Sequence, residues 1–325
     1  MPTKSKRNEQ ILITGGTGFV GPHLIRYLKP FAASITVIAS GVSFDSEPEV
    51  EYHSIDIRDE SRVRKVVQQV CPTRIYHLAS ISAVDLSWAK PRLTFEVNVL
   101  GTLNIFEAAM SLRSPPKILN VSTSQVYALC DATLTENSLV DPDNPYAASK
   151  AMAELLTLPY RRASVGGIVT GRSFNHSGPG QAPSFFLSSI AKQFAEIESG
   201  SRPPTLKVGN LNVKRDFTDV RDVVAAYDML LDNGRVGETY NVCSGVSVCL
   251  ADIVEMFKAI TGVKVAIETE PNRIRSNEMA DVCGDPRKLR DRTGWYPKIP
   301  LEKTIEDLFN YWQFKCREST AQAGQ

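Results

Sequence analysis

The run Ile11-Leu12-Ile13-Thr14 passes directly into Gly15-Gly16-Thr17-Gly18-Phe19-Val20-Gly21, and then into an apolar helical pattern beginning His23-Leu24-Ile25. A strand, a tight glycine turn and a helix in that order leave few folds open. Glycines let the backbone approach a pyrophosphate without Cβ interference, while the helix N-terminus aims its free N–H groups and positive dipole end at the anion. Pro22 is tolerable there, because first-turn residues need no N–H partner. The alternation continues along the first half. β-rich apolar runs at 10–14, 35–39, 74–79, 118–122 and 167–171 are separated by helical patterns over 18–28, 60–70, 92–112 and 146–162. Strands that read apolar on both sides belong in a parallel sheet covered by helices on both faces. The expected fold class is α/β, a doubly wound parallel sheet.

Residues 182–212 change character, with more Pro, Ser and Gly around an amphipathic stretch at 185–197, and read as an insertion that leaves the sheet. Helical patterns return at 220–231, 250–261 and 301–312. The expected division is a dinucleotide-binding domain from 1–174 plus about 216–243, and a smaller C-terminal substrate-binding lobe from about 175–215 plus 244–318. The last residues, 319–325, are expected to be a disordered tail.

Hydrophobic residues at 42% and charged residues at 22% fit a globular soluble chain. A net charge of +1 gives no basic stripe for nucleic acid and none for an anionic membrane. The six cysteines never form a C-x-x-C pair, so no metal is expected. No apolar run has the length of a membrane span and no signal-peptide core opens the chain, which leaves the cytoplasm as the expected location.

An acidic residue about twenty positions after the glycines would hold the ribose 2′-hydroxyl of NAD, and a basic one the 2′-phosphate of NADP. Ile38-Ala39-Ser40-Gly41 stands there. With no carboxylate to repel the phosphate, NADP(H) is favoured and NAD(H) stays open. Asp56-Ile57 follows the third strand, where a carboxylate can accept from the adenine amino group.

Ser122-Thr123-Ser124-Gln125-Val126-Tyr127 falls at the carboxyl edge of the fifth strand, where ligands bind in such sheets. Tyr146-Ala147-Ala148-Ser149-Lys150 opens the next long helix. Spaced i, i+4, Tyr146 and Lys150 share a helical face, so the ammonium can lower the phenol pKa and make Tyr146 a proton donor or acceptor. Thr123 can hydrogen-bond a reacting carbonyl oxygen.

Together with His77-Leu78-Ala79-Ser80, Ser87-Trp88 and Asn98-Val99-Leu100-Gly101-Thr102, these motifs resemble the extended short-chain dehydrogenase/reductases of the epimerase/dehydratase family, across nearly the whole chain. The resemblance implies a Rossmann-type domain with Gly15, Thr17, Gly18, Phe19, Val20, Gly21, Ser40, Asp56, Ile57, Leu78, Ala79 and Lys150 around the cofactor. Lys150 would also hold the nicotinamide ribose. Ser82 and Asn98 would line the site or support its backbone, a structural hydrogen bond being at least an equal reading for Asn98. It further implies a homodimer through a four-helix bundle of the 92–112 and 146–162 helices.

In the second half, Arg172-Ser173-Phe174-Asn175-His176 looks like the family's entry to the substrate lobe, while Val208-Gly209-Asn210-Leu211, Lys214-Arg215-Asp216-Phe217 and Arg273-Ile274-Arg275-Ser276-Asn277-Glu278 look like the branch acting on GDP-mannose derivatives. Asn175 would face a diphosphate, Arg215 and Arg275 suit one through bidentate donors, and Glu278 can accept from ribose hydroxyls. His176 reads as structural. Dehydratases of that branch carry a Glu two residues after the catalytic Thr. Gln125 stands there, and an amide cannot serve as that base. The expected reaction is reduction of the C4 ketone of a GDP-4-dehydro-6-deoxymannose by NAD(P)H, with a GDP-sugar as partner. A GDP-mannose 4,6-dehydratase, a sugar-nucleotide 4-epimerase and a non-catalytic NAD(P)-binding protein remain the alternatives.

Overall fold

The computed structural model describes residues 9–40, 47–130, 132–163, 167–271 and 279–323. Seven strands form one parallel sheet: β1 (Gln10–Thr14), β2 (Ser34–Ala39), β3 (Val50–Ser54), β4 (Arg74–His77), β5 (Lys117–Thr123), β6 (Gly167–Ser173) and, later in the chain, β10 (Thr239–Val242). Their order is β10-β6-β5-β4-β1-β2-β3, so the direction of winding reverses between β1 and β4. A crevice opens at such a reversal, beyond the carboxyl ends of the strands.

Both faces of the sheet are covered, which explains why its strands read as apolar runs. On one face Ile11, Ile13, Leu119 and Val169 pack with α1 (Val20–Leu28) and with α9 (Val220–Asn233). On the other, Leu12, Ile75, Ile118 and Ile168 pack with α2 (Glu60–Val70) and with α5 (Gly101–Met110). The intervening helices are α3 (Val84–Ala89), α4 (Pro91–Phe95), α6 (Pro145–Leu155) and α7 (Thr157–Ala163). Between α4 and α5 the expected unbroken helix carries a π-helical turn, Glu96–Leu100, which turns Asn98 inward.

A second apolar cluster lies in the later half, where Leu187, Phe194, Phe257 and Leu308 join α8 (Phe186–Glu198), α10 (Leu250–Thr261) and α12 (Leu301–Ala323). Its strands are β7 (Asn175–Ser177), β8 (Thr205–Val208), β9 (Lys214–Asp219), β11 (Ser247–Cys249), β12 (Ala266–Thr269) and β13 (Asp281–Val282). They pair as β7, β9, β11 and β13 in one small sheet and β8 with β12 in another.

Three boundaries differ from the sequence expectation. The division at 215/216 runs through β9, because β9 is held by β7, β11 and β13 on both of its edges. Within 244–318, α11 (Arg287–Thr293) and Trp295 return to the main core, where Leu289 and Trp295 are buried and the Trp295 indole donates to Asp222 O at 3.0 Å. The tail expected to be disordered from 319 continues α12 as helix to Ala323.

Candidate active site

Thr123 is the last residue of β5, and its Oγ1 accepts from Gln125 N as the chain turns away. Tyr146 enters from α6, a helix started by Pro145 and by the Asn144 side chain, which accepts from Ala147 N at 2.9 Å. One turn further, Lys150 donates to Val121 O at 2.8 Å. The Tyr146 hydroxyl meets the Thr123 side chain. Thr123, Tyr146 and Lys150 together line one wall of a cleft of about 1100 Å³.

 

Burial governs the titration of this wall. Tyr146 is pushed up to about 12 by desolvation, with the Thr123 hydrogen bond opposing. The expected lowering of the phenol by Lys150 is therefore not what the structure gives: burial dominates at Tyr146, the Lys150 ammonium donates to Val121 O, and burial brings Lys150 itself down to about 8, partly offset by Glu154. A phenol that stays protonated at neutral pH is in the state a proton donor needs.

Behind the wall lies a pair that sequence reading missed. Glu154, one turn past Lys150, accepts from Arg172 Nη2 at 2.7 Å and Nε at 2.9 Å, and from the Ser122 hydroxyl. This ties α6 to β5 and β6. The residues sit 18 positions apart in different elements, so no local pattern announces them.

The glycine turn faces the same cleft through Gly15, Thr17, Gly18, Phe19 and Val20. Gly15 has φ +68°, and a Cβ on it would lie 2.7 Å from the Ala79 backbone, so only glycine fits. Gly21 corrects its expected place. It is buried beneath the turn, where a Cβ would meet Gly16 O, and serves close packing of α1 rather than lining the cleft. Ser40, Asp56, Ile57, Leu78 and Ala79 line the cleft. The Asp56 carboxylate is taken by Arg58, at 2.6 Å from Nη2, which holds it below the usual carboxylate range. Arg58, also bonded to Glu96 at 3.0 Å, is a second cleft residue the sequence reading missed.

Asn98 is structural. Its Oδ1 accepts from Ile81 N at 2.8 Å, and its Nδ2 donates to Ile81 O and to Ser149 Oγ. Next to it, buried His77 bridges the Thr14 and Thr102 hydroxyls at 2.7 and 2.9 Å. Burial, then Lys150, pushes His77 down from 6.5 to about 3. Between those values the unfolded chain binds a proton that the folded chain refuses, so this contribution is complete above pH 6.5 and is lost as pH falls toward 3. His77→Gln should remove about 2 kcal/mol of the stability lost between pH 6.5 and about pH 5. Urea unfolding at both pH values checks it, and equal slopes in both proteins would refute the assignment.

On the substrate side, Ser82, Gln125 and Asn175 are exposed and Arg215 is half-buried, all four lining the cleft. Asn175 Nδ2 donates to Asp216 O at 3.3 Å, and Arg215 Nη1 to Lys214 O and Met279 O at 2.7 and 2.8 Å. Arg275 and Glu278 lie outside the described residues. His176 stacks on Phe19 with centroids 6.0 Å apart, and its Nδ1 meets Phe174 O at 2.9 Å, a structural placement.

A family model described as GDP-mannose 4,6 dehydratase matches residues 12–308. The chain is 34% identical to the GDP-6-deoxy-D-mannose reductase of Pseudomonas aeruginosa, over 95% of this chain and 99% of that one. Among solved structures it is similar to RMD from Pseudomonas aeruginosa complexed with NADPH, with TM-score 0.84 and 32% identity over 96% of this chain and 99% of that one. It is also similar to the UDP-glucose 4-epimerase of Thermus thermophilus in complex with NAD, with TM-score 0.81 and 26% identity over 93% and 98%.

Proposed function

Because this chain belongs to the GDP-mannose 4,6-dehydratase family of extended short-chain dehydrogenase/reductases, we propose that it reduces the C4 ketone of GDP-4-dehydro-6-deoxy-D-mannose to GDP-D-rhamnose. The observation that carries this reading is the pairing of a protonated Tyr146 with an amide, Gln125, facing the cleft where elimination would need a carboxylate. The similarity to a GDP-6-deoxy-D-mannose reductase supports it.

The glycine turn that faces the cleft at the N-terminus of α1 suits a dinucleotide. Gly15, Thr17, Gly18, Phe19 and Val20 would hold its diphosphate, Ser40, Asp56 and Ile57 its adenosine end, and Leu78, Ala79 and Lys150 its other half. A reduced nicotinamide supplies the hydride when bound. NADP(H) is the favoured form, since Ser40 offers no carboxylate against a 2′-phosphate. Tyr146 donates the proton to the oxygen at C4, and the Thr123 hydroxyl steadies that oxygen as charge develops. Lys150 orients the site. Ser82, Gln125, Asn175 and Arg215 hold the GDP-sugar, together with Arg275 and Glu278.

Incubation with enzymatically prepared keto sugar and NADPH or NADH should oxidise the cofactor and add two hydrogens to the sugar, with GDP-mannose unchanged. Loss of water from GDP-mannose without net cofactor consumption would replace this reading with a dehydratase.

The homodimer belongs to the same proposal. Trp88, Leu100, Met152 and Leu155 are exposed on α3, the π turn and α6, the apolar surface that a four-helix contact would cover. Light scattering should give twice the monomer mass, and Leu155→Arg should give the monomer. Among the described residues no helix is long and apolar enough to cross a membrane, and a cytoplasmic location fits a nucleotide-sugar substrate.

A further inference from the structure

The hydroxyls of Ser173 and Tyr227 meet beside Thr123, and together they hold one hydrogen more than their contact uses. Ser173 closes β6 as the register partner of Thr123, while Tyr227 stands on α9. Their oxygens are 2.6 Å apart. Ser173 is 6% and Tyr227 0% exposed, yet both line the cleft. One hydrogen lies between the two oxygens, and the other needs an acceptor. Among the described residues neither hydroxyl has a second partner. Buried donors are seldom left so, which points to an acceptor brought by a ligand. Either oxygen can donate in this contact; with the more deeply buried Tyr227 as donor to Ser173, the hydrogen left over is the one on Ser173.

The strand order selects the acceptor. Ser40, Asp56 and Ile57 stand at the ends of β2 and β3 and the glycine turn at β1, so a dinucleotide with its adenosine there extends over β4, β5 and β6. β6 lies three strand spacings from β1, roughly 14 Å, the reach of a ribose and its base. We propose that Ser173, held by Tyr227, donates to the carboxamide oxygen of the nicotinamide. This rests on the dinucleotide reading above.

The test is equilibrium binding to the full chain of three probes: NADP⁺, its thionicotinamide analogue, whose sulfur is a weaker acceptor, and 2′-phospho-ADP-ribose, which lacks the nicotinamide. Ser173→Ala should weaken NADP⁺ about five- to tenfold, the thio analogue less, and 2′-phospho-ADP-ribose not at all. Tyr227→Phe should show the same pattern at smaller size. Unchanged NADP⁺ affinity in Ser173→Ala, or an equal loss for all three probes, would overturn the proposal. Failure of the unsubstituted protein to bind any of the three would instead overturn the dinucleotide reading on which it rests.

Discussion

Tyr146→Phe should lower kcat about 10³-fold while leaving NADPH affinity within about twofold, because it removes the proton donor and no part of the cradle. Fluorescence titration and single-turnover kinetics separate the two. The pH profile adds a second check. With Tyr146 held at about 12 and Lys150 at about 8, the basic limb of kcat/KM should fall above pH 8 as Lys150 loses its charge, not near the phenol. A Tyr146→Phe protein that still turns over at the original rate would remove Tyr146 from the reaction and favour a binding protein.

Arg74→Met should cost about 3–5 kcal/mol of stability, a large part of the total for a chain of this kind. The Arg74 side chain is 7% exposed and reaches Glu9, Asp228 and Asp232 at 2.7, 3.2 and 2.5 Å. Without it, Asp228 stays buried with the Tyr76 hydroxyl at 2.9 Å. Adding Asp228→Asn removes the stranded charge and should recover much of the loss. Arg74 opens β4 at the end of the sheet away from the cleft, so activity per folded molecule should not change. Urea unfolding of both variants decides it, and a loss below about 1 kcal/mol would show the cluster to be a solvated one.

Much of the architecture was legible because it is written in local periodicity. The strand at Gln10–Thr14 and the helices at Glu60–Val70 and Leu250–Thr261 occupy the expected residues. The π turn at Asn98 was not, since it is decided by what Asn98 bonds across the fold, Ile81 and Ser149. The helix through Ala323 was missed for a related reason: Trp312 and Cys316 pack against the second core, which extends the helix beyond what its own pattern shows.

By itself the sequence determined the alternation of strands and helices through the first half, the glycine turn and the i, i+4 pairing of Tyr146 with Lys150, all properties of neighbours along the chain. Only the tertiary structure decided that burial outweighs Lys150 at the Tyr146 phenol, that Arg58 occupies Asp56, that Glu154 and Arg172 brace the catalytic helix, and that Gly21 lies under the cradle. Each of these depends on desolvation or on contacts between residues far apart in sequence, and neither quantity exists until the chain has closed on itself.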